Sequence, residues 1–298
     1  MSMFLEVVLP VCMIFLVGYL IQSWRKVDIK PISTLAIYVL TPALVFRTFT
    51  SSPLNINYFY MLVFSLLLLV SLIIINKVFV KIKKLDSQTE SSLILSTSFK
   101  NAGNYGAPII LFAYGEAGFA FAVMYMVLQS MINNSVGVYY AARGSLGISV
   151  ALKTIFTMPT TYAMLIALVV NIFDVNLSGA IQMPIHLLAE ASIPVAMIIL
   201  GMQLATIRFT QIDWSLLSFS VVTRLFLSPF IAFLITLMLP IDPLLQKVLI
   251  VTAAMPTAAM IVMFAVQFNS KPQYVSTVTL VTTILSIFTI TGLLIILD

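Results

Sequence analysis

Charge is what this 298-residue chain has least of: only 8% of its residues are Asp, Glu, Lys or Arg, where soluble domains average about a quarter. A water-soluble exterior is therefore excluded. His186 is the only histidine, which rules out a zinc site of the H-E-x-x-H kind. Cys12 is the only cysteine, so no intramolecular disulfide can form, and the residue is expected to pack as a small hydrophobe. No Gly-x-x-x-x-Gly-Lys phosphate loop occurs, so this chain hydrolyses no ATP. No Gly-x-Ser-x-Gly nucleophile elbow occurs either; Gly144-Ser145-Leu146-Gly147 has the wrong spacing. An enzyme is not expected, no cofactor or metal site is indicated, and any transport must be driven by gradients. No basic residue precedes the first apolar run, the first being Arg25. That is the wrong polarity for a signal peptide, so the run is expected to remain as a membrane span.

What the chain has is apolar length. Hydrophobic residues make up 61% and the mean hydropathy is +1.12, which predicts an all-α polytopic membrane protein. Ten candidate spans can be drawn, at residues 4–22, 31–49, 58–78, 91–113, 117–140, 154–173, 179–205, 214–239, 247–267 and 273–297. Of the 15 Lys and Arg, 11 follow odd-numbered spans: Arg25, Lys26, Lys30, Lys77, Lys81, Lys83, Lys84, Arg143, Lys153, Arg208 and Lys271. The opposite connections carry mainly Glu6, Glu116, Asp174, Asp242 and Asp298. The positive-inside rule then puts both termini outside the cytoplasm. The net charge of +5 follows this topology and is no sign of nucleic-acid binding.

Sliding one half of the chain over the other by 152 residues places Pro42 on Pro194 and Phe112-Ala113 on Phe264-Ala265. The same shift places Asn104 on Pro256. Five spans per copy is an odd number, so the second copy enters the membrane inverted. The expected organisation is a first five-helix repeat at 1–143, a cytoplasmic connector at 144–153 and an inverted repeat at 154–298. Inverted repeats with interrupted helices are the architecture of secondary transporters.

The stretch Lys100-Asn101-Ala102-Gly103-Asn104-Tyr105-Gly106-Ala107-Pro108 lies inside the fourth span, where two glycines and a proline should break the helix. Irregular backbone at membrane depth is kept where protein buries it or where it lines a wet cavity. A binding site and a packing kink with asparagine as interhelical glue both account for it. Span 9 is interrupted by Pro256, beside Thr257. Paired half-helix N-termini would cradle a carboxylate, with Asn101 and Asn104 donating from their side chains. Lys100 either adds charge to that cradle or snorkels or pairs structurally. Arg224 in span 8 is read as a structural ion-pair partner, with Glu190 the candidate acid. Glu190, four residues before Pro194, is otherwise a protonatable coupling group. Gln129 and Asn133 share one helix face, as do Ser276, Thr279, Thr283 and Ser286, and interhelical hydrogen bonding explains them as well as a substrate path does.

The Asn-Ala-Gly-Asn-Tyr-Gly-Ala-Pro stretch, the Pro-Val-Ala-Met-Ile-Ile-Leu-Gly-Met-Gln-Leu run at 194–204 and the proline-broken ninth span resemble the auxin efflux carrier family over essentially the whole chain. The resemblance is to compact prokaryotic members that lack a long central cytoplasmic loop. It implies ten helices in two inverted five-helix repeats, with helices 4 and 9 interrupted and crossing, and elevator-type alternating access. It also implies carriage of small organic anions such as malate, malonate or auxin-like acids across a bacterial inner membrane. Substrate contacts would come from Asn101, Asn104, Gly103, Tyr105, Pro108, Pro256 and Thr257, with Lys100, Glu190 or Arg224 coupling or compensating charge. The ninth span has no asparagine at its break, so a symmetric two-asparagine clamp is not expected. The implied partners are a small carboxylate, the lipid bilayer and a second copy in a homodimer. Two alternatives stay open: a cation-coupled antiporter or symporter of similar architecture, and a ligand-binding membrane sensor that transports nothing.

Overall fold

The computed structural model describes residues 4–52, 56–142, 158–206 and 213–297. The connector expected at 144–153, the first residues of the sixth span, and Arg143, Lys153 and Arg208 lie outside the described residues. Among the described residues eleven helices follow one another: α1 (Phe4–Arg25), α2 (Ile29–Ser51), α3 (Asn57–Lys83), α4 (Ser87–Ser98), α5 (Ala102–Ala141), α6 (Pro159–Ile172), α7 (Gly179–Thr206), α8 (Trp214–Leu237), α9 (Pro243–Ala253), α10 (Ala259–Gln267) and α11 (Pro272–Leu297). Seven of them, α1, α2, α3, α5, α7, α8 and α11, are long and apolar enough to cross a membrane. The protein is an all-helical polytopic membrane protein.

Helix α5 has 40 residues, about 60 Å if straight and twice what a bilayer needs. It is divided at Gly115, whose φ of 63° and ψ of −163° are not helical. A Cβ added at Gly103 would lie 2.9 Å from Sδ of Met126, so the arms on either side of Gly115 fold back against each other. Helices α4 and α9 start about four residues earlier than hydropathy suggests. The reason is capping: the Asp86 carboxylate accepts from the Thr89 amide at 2.7 Å and the Asp242 carboxylate from the Leu244 amide at 2.7 Å. The bond from the Thr89 amide, with the Thr89 hydroxyl and nearby Lys271, holds the Asp86 carboxyl below the ordinary aspartate range against the opposing effect of burial.

Prolines shape the helices in a repeated way. Wide π-helical turns at Phe4–Val8, Ala36–Leu40, Ala102–Gly106 and Thr223–Leu227 are each followed two residues later by a proline: Pro10, Pro42, Pro108 and Pro229. A proline ring clashes with the carbonyl four residues back and donates no hydrogen bond, and a wider turn relieves both problems.

The helices sort into two packing groups. Helix α1 runs along α7, and α2 packs on α6 and α7. Helices α3, α4, α5, α8, α9, α10 and α11 pack chiefly among themselves. The α1–α7 contact is backbone against backbone. A Cβ on Gly18 would lie 2.1 Å from the Ile198 carbonyl oxygen, and one on Gly201 would lie 2.0 Å from that of Phe15. Small residues permit this approach in lipid, where helices associate by close packing. The two groups touch where the turn at 102–106 meets α7 and where α2 meets α5. Gly201→Leu should separate α1 from α7 and destabilise the protein by about 3 kcal/mol or more. The check is the thermal midpoint of purified protein in detergent, where a midpoint equal to wild type would refute the close contact.

Candidate functional site

Helix α4 stops at Ser98, and the chain is extended at Phe99 and turns at Asn101 (φ −83°, ψ 68°) before α5 begins. Helix α9 stops at Ala253, and the chain passes Met255, Pro256 and Thr257 before α10 begins. The two interruptions lie against each other as a short antiparallel bridge, with Lys100 opposite Thr257. The Asn101 amide donates to the Pro256 carbonyl at 2.8 Å, and the Ala258 amide donates to the Phe99 carbonyl at 3.0 Å. Each break thus supplies partners that the other lost by leaving the helix. In hydrocarbon each unsatisfied backbone group costs several kcal/mol.

The helix ends that feed the bridge are capped from outside. Thr257, fully buried, donates its hydroxyl to the Ser96 carbonyl at 2.6 Å. Arg224 of α8, also fully buried, donates from Nη1 to the Thr97 carbonyl at 2.6 Å, and from Nη2 to the Ala253 carbonyl and to Oγ of Ser228. Ser228 also donates to the Ala253 carbonyl, at 2.8 Å. Arg224 therefore sits between the negative dipole ends of α4 and α9. This corrects the ion pair expected of it, because no carboxylate is among its partners. Glu190 is exposed and lines a cleft of about 260 Å³ with Arg47, Glu116, Phe112 and Pro194. Arg47 also borders a second, polar cleft of about 250 Å³ with His186, Asn171 and Gln182. Neither cleft is lined by residues of the bridge.

The starts of α5 and α10 are different. Neither has a side-chain cap, so their first-turn amides keep hydrogen-bonding capacity. Asn101 is buried and Asn104 half-buried, and the side-chain amide of neither has a hydrogen-bond partner among the described residues. Lys100 is 3% exposed and neither snorkels nor pairs with an acid; its Nζ lies 5.1 Å from the centre of the Tyr125 ring, at cation–π distance. Among the described residues the one ion pair is Lys271 with Asp86, at 3.6 Å and near the surface. Two buried basic side chains thus stand at the bridge, and of the two only Arg224 donates to oxygen acceptors among the described residues, through Nη1 and Nη2.

The other residues of the expected set act on the backbone or on packing. Tyr105 is buried, accepts a hydrogen bond from Ser286 at 2.9 Å and lies 5.2 Å from the Phe15 ring of α1. Pro108 accounts for the wide turn at 102–106, Gly103 lies against Met126 and Pro256 gives its carbonyl to Asn101. Gln129 donates to Asn133 on its own helix at 2.8 Å, and Thr279 and Thr283 donate to carbonyls one turn back. Sequence reading missed Ser228, Tyr125, the carbonyls of Ser96, Thr97 and Ala253, and Thr282, whose hydroxyl accepts from the Thr257 amide at 3.4 Å. Only Ser228 left a trace, as a hydroxyl four residues after Arg224 and just before a proline.

Interrupted helices that meet inside an apolar bundle are an arrangement found in membrane transporters. The chain belongs to the membrane transport protein family, that of the auxin efflux carriers, whose profile matches residues 3–146 and 143–294. It is 24% identical to an uncharacterized transporter of Methanocaldococcus jannaschii over 96% of both chains. To an uncharacterized transporter of Methanothermobacter thermautotrophicus it is 25% identical, over 95% of this chain and 94% of the relative.

Removing the Thr257 hydroxyl leaves the Ser96 carbonyl buried without that partner. Thr257→Val should destabilise the protein by about 1–3 kcal/mol, and Thr257→Ser should restore most of the loss. Equal thermal midpoints for the valine variant and wild type would show that the bond contributes nothing.

Proposed function

We propose that the protein is a secondary carrier of small organic anions, with a substrate carboxylate held at the bridge between the two broken helices. The observation that carries this reading is the buried Lys100 side chain, which has no acidic partner among the described residues, beside the side-chain amides of Asn101 and Asn104, which have no hydrogen-bond partner among them. A carboxylate supplies the missing negative charge and up to four acceptor positions. The uncapped first turns of α5 and α10 add backbone amides at positive dipole ends. In this reading Thr257 and Arg224 hold the frame rather than the anion, and Glu190 lies outside the site.

We further infer elevator-type alternating access. Its support is the division of the helices into α1, α2, α6 and α7 on one side and the remaining seven on the other. The crossing belongs to the larger group and borders the smaller one through the turn at 102–106 and Tyr105. On this reading α1, α2, α6 and α7 form the scaffold and the other group carries the substrate. Counting α4 with the first arm of α5, and α9 with α10, as single crossings gives ten spans in two inverted halves, 1–143 and 154–298. With the Lys and Arg distribution of the sequence, this count supports both termini lying outside the cytoplasm. Cation exchange is the weaker reading, because among the described residues the bridge brings no carboxylate to bind an ion.

The test is counterflow of labelled malate into proteoliposomes loaded with unlabelled carboxylates. Wild type should accumulate label, and Asn104→Ala should lose at least about 90% of the rate while remaining folded, as expected for loss of a hydrogen bond to a charged group. Uptake by Asn104→Ala at the wild-type rate would move the site away from the bridge. Absence of counterflow for every acid tried, with ligand-dependent stabilisation, would favour a sensor.

A further inference from the structure

A buried arginine in a membrane protein pairs with other charges or with backbone carbonyls, or marks a substrate path. Arg224 takes the carbonyls. Its guanidinium is spread across the carbonyl ends of two helices from opposite halves of the chain, at Thr97 of α4 and Ala253 of α9, and is braced by Ser228. A single side chain thereby fixes how far apart these two ends stand. The planar fork of donors suits this task, because it reaches several acceptors at fixed angles. Its charge also answers both helix dipoles at their negative ends.

Residues of the bridge follow closely on these two ends. Lys100 and Asn101, proposed to bind substrate, come three and four residues after Thr97, and Thr257, which holds the frame, comes four residues after Ala253. The extended segments between them are joined by two backbone bonds and the Thr257 hydroxyl. Their relative position therefore depends on where the preceding helices stop. Arg224 itself lies in the wide turn Thr223–Leu227, which Pro229 imposes on α8. Wide turns of this kind recur at functional sites because they aim a side chain that a regular helix would direct elsewhere.

We propose that Arg224 is the positioning residue of the substrate site. It touches no substrate and acts by tying the two interrupted helices into one body, so that Lys100, Asn101 and Asn104 keep the geometry that binds the anion while the helices move together. The inference rests on the bridge being the substrate site.

The experiment compares Arg224→Lys and Arg224→Gln with wild type. Thermal midpoint and monodispersity in detergent report folding, and malate counterflow at a range of concentrations reports function. Arg224→Gln should raise KM about tenfold or more, the cost of displacing one hydrogen bond to a charged group, while the maximal rate falls less. Arg224→Lys, which keeps the charge but loses the fork, should fall between the two. An unchanged KM in a folded Arg224→Gln protein, or an equal loss of maximal rate alone in both variants, would overturn the proposal. If the glutamine variant does not fold, the lysine variant decides by the same criterion: a raised KM supports the role and a wild-type KM refutes it. A readout independent of substrate separates this proposal from the anion reading. Ala102, 3% exposed, is replaced by cysteine in a Cys12→Ser background and its reaction with a small maleimide is timed. Loosening of the bridge in Arg224→Lys or Arg224→Gln should speed labelling about tenfold. Labelling at the parent rate would overturn the positioning role even if no acid is carried.

Discussion

Two stretches of chain leave the helical conformation in the interior of a membrane protein, and the structure depends on where their backbone hydrogen bonds go. In lipid no water is present to replace them. The solution is mutual: Asn101 donates to Pro256, Ala258 donates to Phe99, and Lys100 faces Thr257 across the bridge. One break alone would leave its amides and carbonyls orphaned, so the two interruptions need each other. That requirement links the halves of the chain more directly than any apolar contact. It also explains why the surrounding polar side chains are spent on carbonyls: Thr257 on Ser96, and Arg224 and Ser228 on Ala253.

The distribution of charge around the bridge separates frame from site. The guanidinium is matched by helix carbonyls, whose aligned dipoles are equivalent to roughly half a negative charge per helix end. The ammonium three residues beyond Thr97 has only the face of an aromatic ring. The amides of Asn101 and Asn104 likewise have no partner within the protein among the described residues. Acceptors are thus used up at the ends of α4 and α9, while donors remain at the starts of α5 and α10. The same breaks that threaten stability leave a patch of donors, the patch at which the proposed anion would bind.

Much of this was legible in the sequence, for physical reasons that differ from one feature to another. Hydrophobic length and the placement of lysines and arginines are properties of whole segments, so the polytopic membrane class and the broken fourth and ninth spans could be read directly. The helix starts at Ser87 and Pro243 were misplaced because hydropathy cannot see that Asp86 and Asp242 cap the first turns. Arg224 was assigned an acidic partner because a linear sequence shows other charges and hides carbonyl oxygens that a helix end has freed. Glu190, the acid nominated for it, lies on a cleft with Arg47 and Glu116 instead. Tyr105 and Pro108 lie inside the motif read as a binding stretch; one packs between α1 and α11 and the other sets the width of the turn. Neither contact is visible from proximity in sequence to the break.

The central claim is that Lys100 is the charge an anion answers. Equilibrium binding of labelled malonate to the purified protein in detergent, for wild type beside Lys100→Met, addresses it without any need for flux. The account predicts saturable binding by wild type, lost in Lys100→Met although the variant melts at or above the wild-type temperature, because the lone buried ammonium costs desolvation without a counter-charge. Malonate binding by Lys100→Met with unchanged affinity would contradict it.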